Sequence, residues 1–60
     1  MTLDEARENI GRGAIYQPYE GAPVEAGDIT SVNERFVFVH YAGDRQSKAT
    51  RAEDLRWETP

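Results

Sequence analysis

His40 is the only histidine in a chain of 60 residues that contains no cysteine. A histidine can serve as a general base or as a metal ligand. Neither Ser31 nor Ser47, however, has the strand–turn–helix context that exposes a serine nucleophile. We interpret His40 as a half-exposed strand residue beside Phe38, and we keep it as a candidate ligand contact. The sequence therefore predicts a protein that is not an enzyme, with no catalytic residue, no metal and no cofactor.

Two pairs of adjacent carboxylates, Asp4–Glu5 and Glu53–Asp54, have the residue types for acid–base chemistry. Each pair also lies in a capping box, in which a threonine hydroxyl and a glutamate carboxylate bind free backbone N–H groups at the start of a helix. The glycines that flank Arg12 lack the spacing and the lysine of a phosphate loop, and they follow a helix instead of preceding one. These motifs therefore predict helix ends and not active sites.

An aromatic loop is the first candidate contact surface. Tyr16 and Tyr19 lie beside and within residues 17–27, a long loop that prolines and glycines interrupt. Tyrosine combines an apolar ring with a polar tip, which suits contact surfaces. We therefore predict that Tyr16 and Tyr19 bind a partner, and the alternative is that Tyr16 only packs on the rim of the domain.

The segment 43–48 is the one basic stretch, in which Arg45 and Lys48 outnumber Asp44. Its donors beside turn amides suit a small anionic ligand, and the alternative is a solvated hairpin whose lysine protects a sheet edge. The net charge of the whole chain is −4. Because duplex nucleic acid requires a broad basic face, we expect no such partner. Single-stranded nucleic acid ranks last, since the aromatic residues mostly lie apart from the positive charge.

The chain is short enough for one domain, residues 1–60, with a helix over 1–11, a barrel over 12–57 and a tail over 58–60. Leu3, Ala6 and Ile10 share one face of a predicted helix of about two turns, which must dock on the barrel because it is too short to be stable alone.

Four strands are predicted, over residues 14–16, 28–32, 35–41 and 46–49. Asn33-Glu34 is predicted to join two of them as a two-residue turn. A single helical turn, capped by Thr50 and extending to Leu55, and a short terminal strand complete the chain.

The strand before the basic segment is the most apolar. Val37 and Val39 share one of its faces, and Phe36, Phe38 and His40 share the other. Because His40 is polar, we place Val37 and Val39 in the interior. The Phe36 and Phe38 side then needs cover from the N-terminal helix or from a second subunit, so these residues are interface candidates. Homo-oligomerisation is an open alternative, because a domain of this size is marginally stable alone.

Three pieces of the chain carry a family resemblance: Gly27-x-Ile29, Phe36-Val37-Phe38-Val39-x-Tyr41 and Ala49-Thr50-x-x-Glu53-Asp54-Leu55. They resemble the small SH3-like proteins found in bacteriophages and prophages, and they look like the layout of Tudor and KOW barrels. The resemblance implies a mainly β fold, a small SH3-like β-barrel of about five short strands between an N-terminal helix and a C-terminal helical turn. It implies a phage origin and no catalytic residue. Tudor-type barrels hold cations in aromatic cages, a role that the resemblance would offer to Tyr16, Tyr19 and Tyr41.

The expected function is protein–protein interaction with a host or phage protein in the cytoplasm. No apolar run is long enough to span a membrane, and the first residues lack the apolar region of a signal peptide. One alternative is a homo-oligomeric protein that sequesters a small anionic ligand such as a nucleotide immune signal. Another is a structural subunit of a larger assembly, with Phe36 and Phe38 at its interface.

Overall fold

Five short strands and two short helical segments make up the computed structural model, which describes residues 1–58. The elements are helix α1 (Leu3–Arg7), strands β1 (Gly13–Tyr16), β2 (Glu25–Val32), β3 (Val37–Tyr41) and β4 (Lys48–Thr50), a 3₁₀ turn (Ala52–Asp54) and strand β5 (Leu55–Trp57). The strands form one antiparallel sheet in the order β4-β3-β2-β1-β5. The prediction of a mainly β fold is confirmed. The last two residues of the predicted tail, 59 and 60, lie outside the described residues.

Helix α1 begins with the predicted capping box. The Glu5 N–H donates to the Thr2 hydroxyl at 3.1 Å, and the Glu5 carboxylate accepts from the Thr2 N–H at 2.9 Å. These hydrogen bonds with Thr2 lower the pKa of Glu5, because they favour its charged form.

The helix ends at Arg7 and is shorter than predicted. Its chain turns back to the sheet, where the Gly11 N–H donates to the Ile29 carbonyl at 2.7 Å. This leaves Ile10 49% exposed, whereas Ala6 is fully buried. The prediction that Ile10 shares the buried face was therefore wrong.

Strand β2 is longer than predicted because it pairs with two neighbours. Its residues 25–28 pair with β1, and residues 27–32 pair with β3. A register shift between Ile29 and Ser31 marks a bulge, where the Thr30 hydroxyl donates to the Phe38 carbonyl at 3.1 Å. Bulges bend and twist a strand, so β2 can serve both halves of the sheet.

The hairpin between β2 and β3 is a four-residue loop, 33–36, and not the predicted two-residue turn. The Asn33 side-chain oxygen accepts from the N–H groups of Arg35 and Phe36, at 2.8 and 2.7 Å. A two-residue turn of the favoured type needs left-handed backbone angles. Among the described residues only glycines adopt them. Strand β3 consequently begins at Val37, two residues later than predicted.

One buried cluster forms the core between the sheet and α1. Val37 and Val39 are fully buried in it, which confirms their predicted interior position. Its members are Ala6, Ala14, Ile29, Val37, Val39, Tyr41 and Leu55. Because Ala6 packs with the two valines, α1 lies on their side of the sheet. The helix is therefore not the cover that Phe38 was predicted to need.

The predicted helical turn after β4 is present in the structure, but the predicted capping box at its start is absent. It is a 3₁₀ turn with Arg51 at its start and no side-chain cap. The Thr50 hydroxyl instead bonds the Tyr41 hydroxyl, at 2.8 Å, inside the protein. Thr50 is buried, and its hydroxyl therefore bonds Tyr41 in the interior and does not cap the helical turn.

Within the described residues, the structure contains no helix with the length and apolar character needed to cross a membrane.

Candidate functional site

A groove lies beside β4, at one edge of the sheet, with a volume of about 440 Å³. We call it the aromatic groove. Its aromatic and buried lining residues are Tyr16, Phe36, Tyr41 and Thr50, and its remaining lining, which we call the rim, is Glu25, Lys48, Ala49, Arg51 and Asp54. These residues come from the end of β1, the start of β2, the loop before β3, the end of β3, and the segment from β4 to the 3₁₀ turn. The fold therefore assembles the groove from segments that are far apart in the chain.

Two tyrosines form one wall of the aromatic groove. The rings of Tyr16 and Tyr41 meet edge to face, with centroids 6.1 Å apart and an interplanar angle of 67°. Burial and the nearby Glu25 carboxylate raise the pKa of Tyr41, although its hydrogen bond to Thr50 opposes the shift. A raised pKa keeps the hydroxyl protonated at neutral pH, which is the opposite of what a nucleophile needs. This wall is therefore an uncharged contact surface.

The charged residues on the rim differ in whether they form ion pairs within the protein. Lys48 lies 3.4 Å from the Asp44 carboxylate, and Arg51 lies 2.5 Å from that of Glu53. Within residues 1–58, neither Glu25 nor Asp54 forms an ion pair. The rim therefore holds two cations that are paired with carboxylates outside the groove lining, and two carboxylates, Glu25 and Asp54, that are unpaired within residues 1–58. Arg45, the other cation of the predicted basic segment, is exposed and lies in the turn before β4.

The loop 17–24 begins and ends at the aromatic groove, because Tyr16 and Glu25 are register partners that both line it. At its base, the Gln17 N–H donates to the Asp54 carbonyl at 3.0 Å. Tyr16 faces the groove, whereas Tyr19 is 68% exposed on the loop. The structure thus places Tyr16 at the end of β1 and Tyr19 on the loop that follows, and it does not bring their rings together.

His40 lies on the outer face of the sheet, away from the groove. Its Nε2 is 2.8 Å from the Asp44 carbonyl oxygen, and its register partner is Asp28. Within residues 1–58, no hydrogen bond joins His40 to a serine, and no group of three or more His, Asp or Glu side chains is arranged to hold a metal ion. His40 thus contributes nothing to the aromatic groove.

The structure separates Phe36 from Phe38. Phe36 precedes β3 and lines the groove, whereas Phe38 lies within β3 opposite Ala49 and outside the buried core. Phe38 is half-buried on the face that points away from Val37 and Val39. The pair therefore does not form one apolar interface patch.

Sequence reasoning named three of the groove residues as ligand contacts, Tyr16, Tyr41 and Lys48, and named Phe36 for a different surface. It missed Thr50, Glu25 and Asp54 entirely. Thr50 had a competing local signal, the capping box. Nothing local marks Glu25 or Asp54, because their position at the rim depends on the pairing of β1 with β2 and with β5.

The chain has no significant match among protein-family models, curated proteins or solved structures. The fold and the groove define its class, a small antiparallel β protein with an aromatic surface groove at the sheet edge.

Proposed function

We propose that this chain is a small SH3-like barrel of phage origin that acts in the cytoplasm of a bacterial host by binding a protein partner through the aromatic groove, without catalysis. Three features support the barrel. The strand order is β4-β3-β2-β1-β5, strand β2 is shared between two halves of the sheet, and a 3₁₀ turn links the two edge strands. A bulged shared strand is how a short sheet curls toward closure.

The observation that carries the binding proposal is the convergence of three aromatic side chains, Tyr16, Phe36 and Tyr41, in one surface groove. Aromatic residues in pockets with polar rims carry much of the binding energy at protein interfaces. The groove also runs beside β4, an edge strand that pairs with β3 on one side only among the described strands. An extended segment in the groove would thus find both aromatic contacts and backbone hydrogen-bonding groups.

Two earlier alternatives have less support. A small anionic ligand at the segment 43–48 would meet Lys48 already paired with Asp44, and at the groove it would meet the carboxylates of Glu25 and Asp54. A structural subunit of a larger assembly would have to rely on Phe38 without Phe36, since these residues lie on different surfaces.

The test is selection from a display library of random peptides. An extended chain rises about 3.3 Å per residue. Library peptides of about eight residues are therefore long enough to span the longest dimension of the molecule, 27 Å. The affinity of selected peptides is then measured for the wild type, for Phe36→Ala and for Phe38→Ala. We expect Phe36→Ala to weaken binding by about tenfold or more and Phe38→Ala to leave it unchanged.

Phe38→Ala is a matched control, because it removes the same side chain two positions away from a surface outside the groove. Thermal unfolding of both variants confirms that they fold. The proposal fails if no peptide is selected, or if folded Phe36→Ala binds the selected peptides as tightly as Phe38→Ala.

A further inference from the structure

The net charge of the molecule comes from one segment. Between residues 13 and 34 there is no lysine or arginine, and there are four carboxylates: Glu20, Glu25, Asp28 and Glu34. The rest of the chain carries seven carboxylates and seven cations and is neutral. None of the four carboxylates forms an ion pair within residues 1–58. Of the four, Glu25 lines the aromatic groove, and Glu20 lies on the loop 17–24, which begins and ends at that groove.

The loop that carries Glu20 is ordered by its own hydrogen bonds. The Gln17 side chain donates to the Ala22 carbonyl at 2.9 Å, and the Ala22 N–H donates to the Tyr19 carbonyl at 3.1 Å. Gly21 occupies the left-handed region, with φ of 87°, as the third residue of a tight turn requires. Ala22 is buried beneath the loop. A loop built in this way loses little conformational freedom when it binds.

The same loop exposes apolar side chains between its carboxylates. Tyr19 is 68% exposed and Val24 is 54% exposed, and they are two of the three large hydrophobic residues that the described part of the chain leaves exposed. Each is next in sequence to a glutamate, Tyr19 to Glu20 and Val24 to Glu25. The surface thus alternates apolar contacts with unpaired negative charge.

We propose that the loop 17–24 and the adjoining part of the groove at Glu25 receive a cationic polypeptide segment, one in which lysine or arginine residues alternate with apolar residues. This inference rests on the proposed function and names its partner class. Apolar side chains of the segment lie in the aromatic groove and against Tyr19 and Val24. Its cations face Glu20 and Glu25, so that charge complementarity selects the partner. Phosphate-bearing ligands are repelled by the same carboxylates.

The experiment compares three display libraries with identical apolar positions. Their remaining positions hold Lys and Arg, or Ser and Gln, or Asp and Glu. We expect the Lys/Arg library to be enriched most strongly. Binding of the selected peptides should weaken when NaCl is raised about tenfold, because salt screens exposed charges.

The variant Glu20→Gln/Glu25→Gln removes the two charges on the loop, and Glu8→Gln/Glu58→Gln is its control. The control changes the net charge equally at exposed carboxylates away from the loop that form no ion pair within residues 1–58. We expect the loop variant to bind the selected cationic peptides about fivefold or more weakly, as two exposed charge pairs of ordinary strength imply. The control should bind like the wild type.

The two proposals fail in different ways. If the Ser/Gln or Asp/Glu library yields the best binders and Phe36→Ala abolishes their binding, groove binding stands and the cationic partner is overturned. The cationic-partner proposal is also overturned if the loop variant and the control variant bind cationic peptides equally tightly. If no library yields a binder, both proposals are overturned.

Discussion

The Tyr41 hydroxyl and the Thr50 hydroxyl meet at 2.8 Å inside the protein, and both residues are buried. Thr50 has a second oxygen nearby, the Lys48 carbonyl at 3.3 Å, whereas Tyr41 depends on Thr50 alone for a side-chain hydrogen bond within the described residues. A buried polar group that loses its partner costs more than the hydrogen bond itself contributed. The pair therefore holds β3 and β4 in register from within the core.

We predict that Thr50→Val destabilises the fold by about 1 to 3 kcal/mol, because it leaves the Tyr41 hydroxyl without a partner. Adding Tyr41→Phe should recover part of that loss, since the double variant has no orphaned hydroxyl. Urea unfolding at neutral pH measures both. Tyr16→Phe is the control, because its hydroxyl has no protein hydrogen bond in residues 1–58. A double variant no more stable than Thr50→Val alone would contradict the pairing.

The raised pKa of Tyr41 predicts that the free energy of unfolding depends on pH in the alkaline range. Burial raises the pKa of Tyr41 above the ordinary value of 10.0, so in that range the folded state holds a proton that the unfolded state has lost. Stability from this group is complete below about pH 10 and falls as pH rises further. Between about pH 9 and 11, the free energy of unfolding should drop less for Tyr41→Phe than for the wild type. Equal slopes for the two proteins would contradict this origin.

At the level of elements, local patterns predicted where structure occurs better than where it ends. The Thr2 capping box and the β3 valines follow from near neighbours in sequence, and both predictions hold. The end of α1 and the start of β2 do not follow from near neighbours in sequence, because each depends on hydrogen bonds to a segment far away in the chain. The same limit applies to the groove, whose tyrosines have a chemical signature while Glu25 and Asp54 acquire their role only when the strands pair.

The hairpin 33–36 is an element whose geometry depends on one side chain. Asn33 accepts two backbone hydrogen bonds, from Arg35 and Phe36. The hydrogen bond from Phe36 positions that residue, whose ring lines the aromatic groove. We predict that Asn33→Ala destabilises the fold by about 1 kcal/mol, whereas Asn33→Asp largely preserves it, because a carboxylate oxygen can accept the same bonds.

Thermal unfolding and peptide binding check this prediction together. Asn33→Ala should weaken the affinity of selected peptides even at temperatures where the variant is fully folded, because Phe36 loses its fixed position. If Asn33→Ala and Asn33→Asp behave alike in both measurements, the side-chain oxygen does not order the hairpin.

At the level of the whole molecule, the ends of the described chain are tied together. The Met1 ammonium donates to the carbonyls of Leu55 at 2.9 Å and Ala52 at 3.3 Å, across a sequence separation of more than fifty residues. These carbonyls flank the 3₁₀ turn that carries Asp54, on the rim of the aromatic groove. The Met1 nitrogen thus joins the start of α1 to the link between β4 and β5, two strands that do not pair with each other in the described part of the chain.

We predict that acetylating the Met1 amine, or adding two residues before Met1, destabilises this 60-residue chain by about 1 to 2 kcal/mol, since a neutral peptide N–H can donate to only one of the two carbonyls. For a domain of this size that loss lowers Tm by about 8 to 16 °C, which differential scanning calorimetry resolves. The control is the same two-residue extension placed after residue 60, which should leave Tm unchanged. An equal Tm for both extended chains would show that the ammonium does not support the link. A lower Tm only for the N-terminal extension would mean that binding experiments on the groove need a free Met1 amine, because a tag there loosens the turn that carries Asp54.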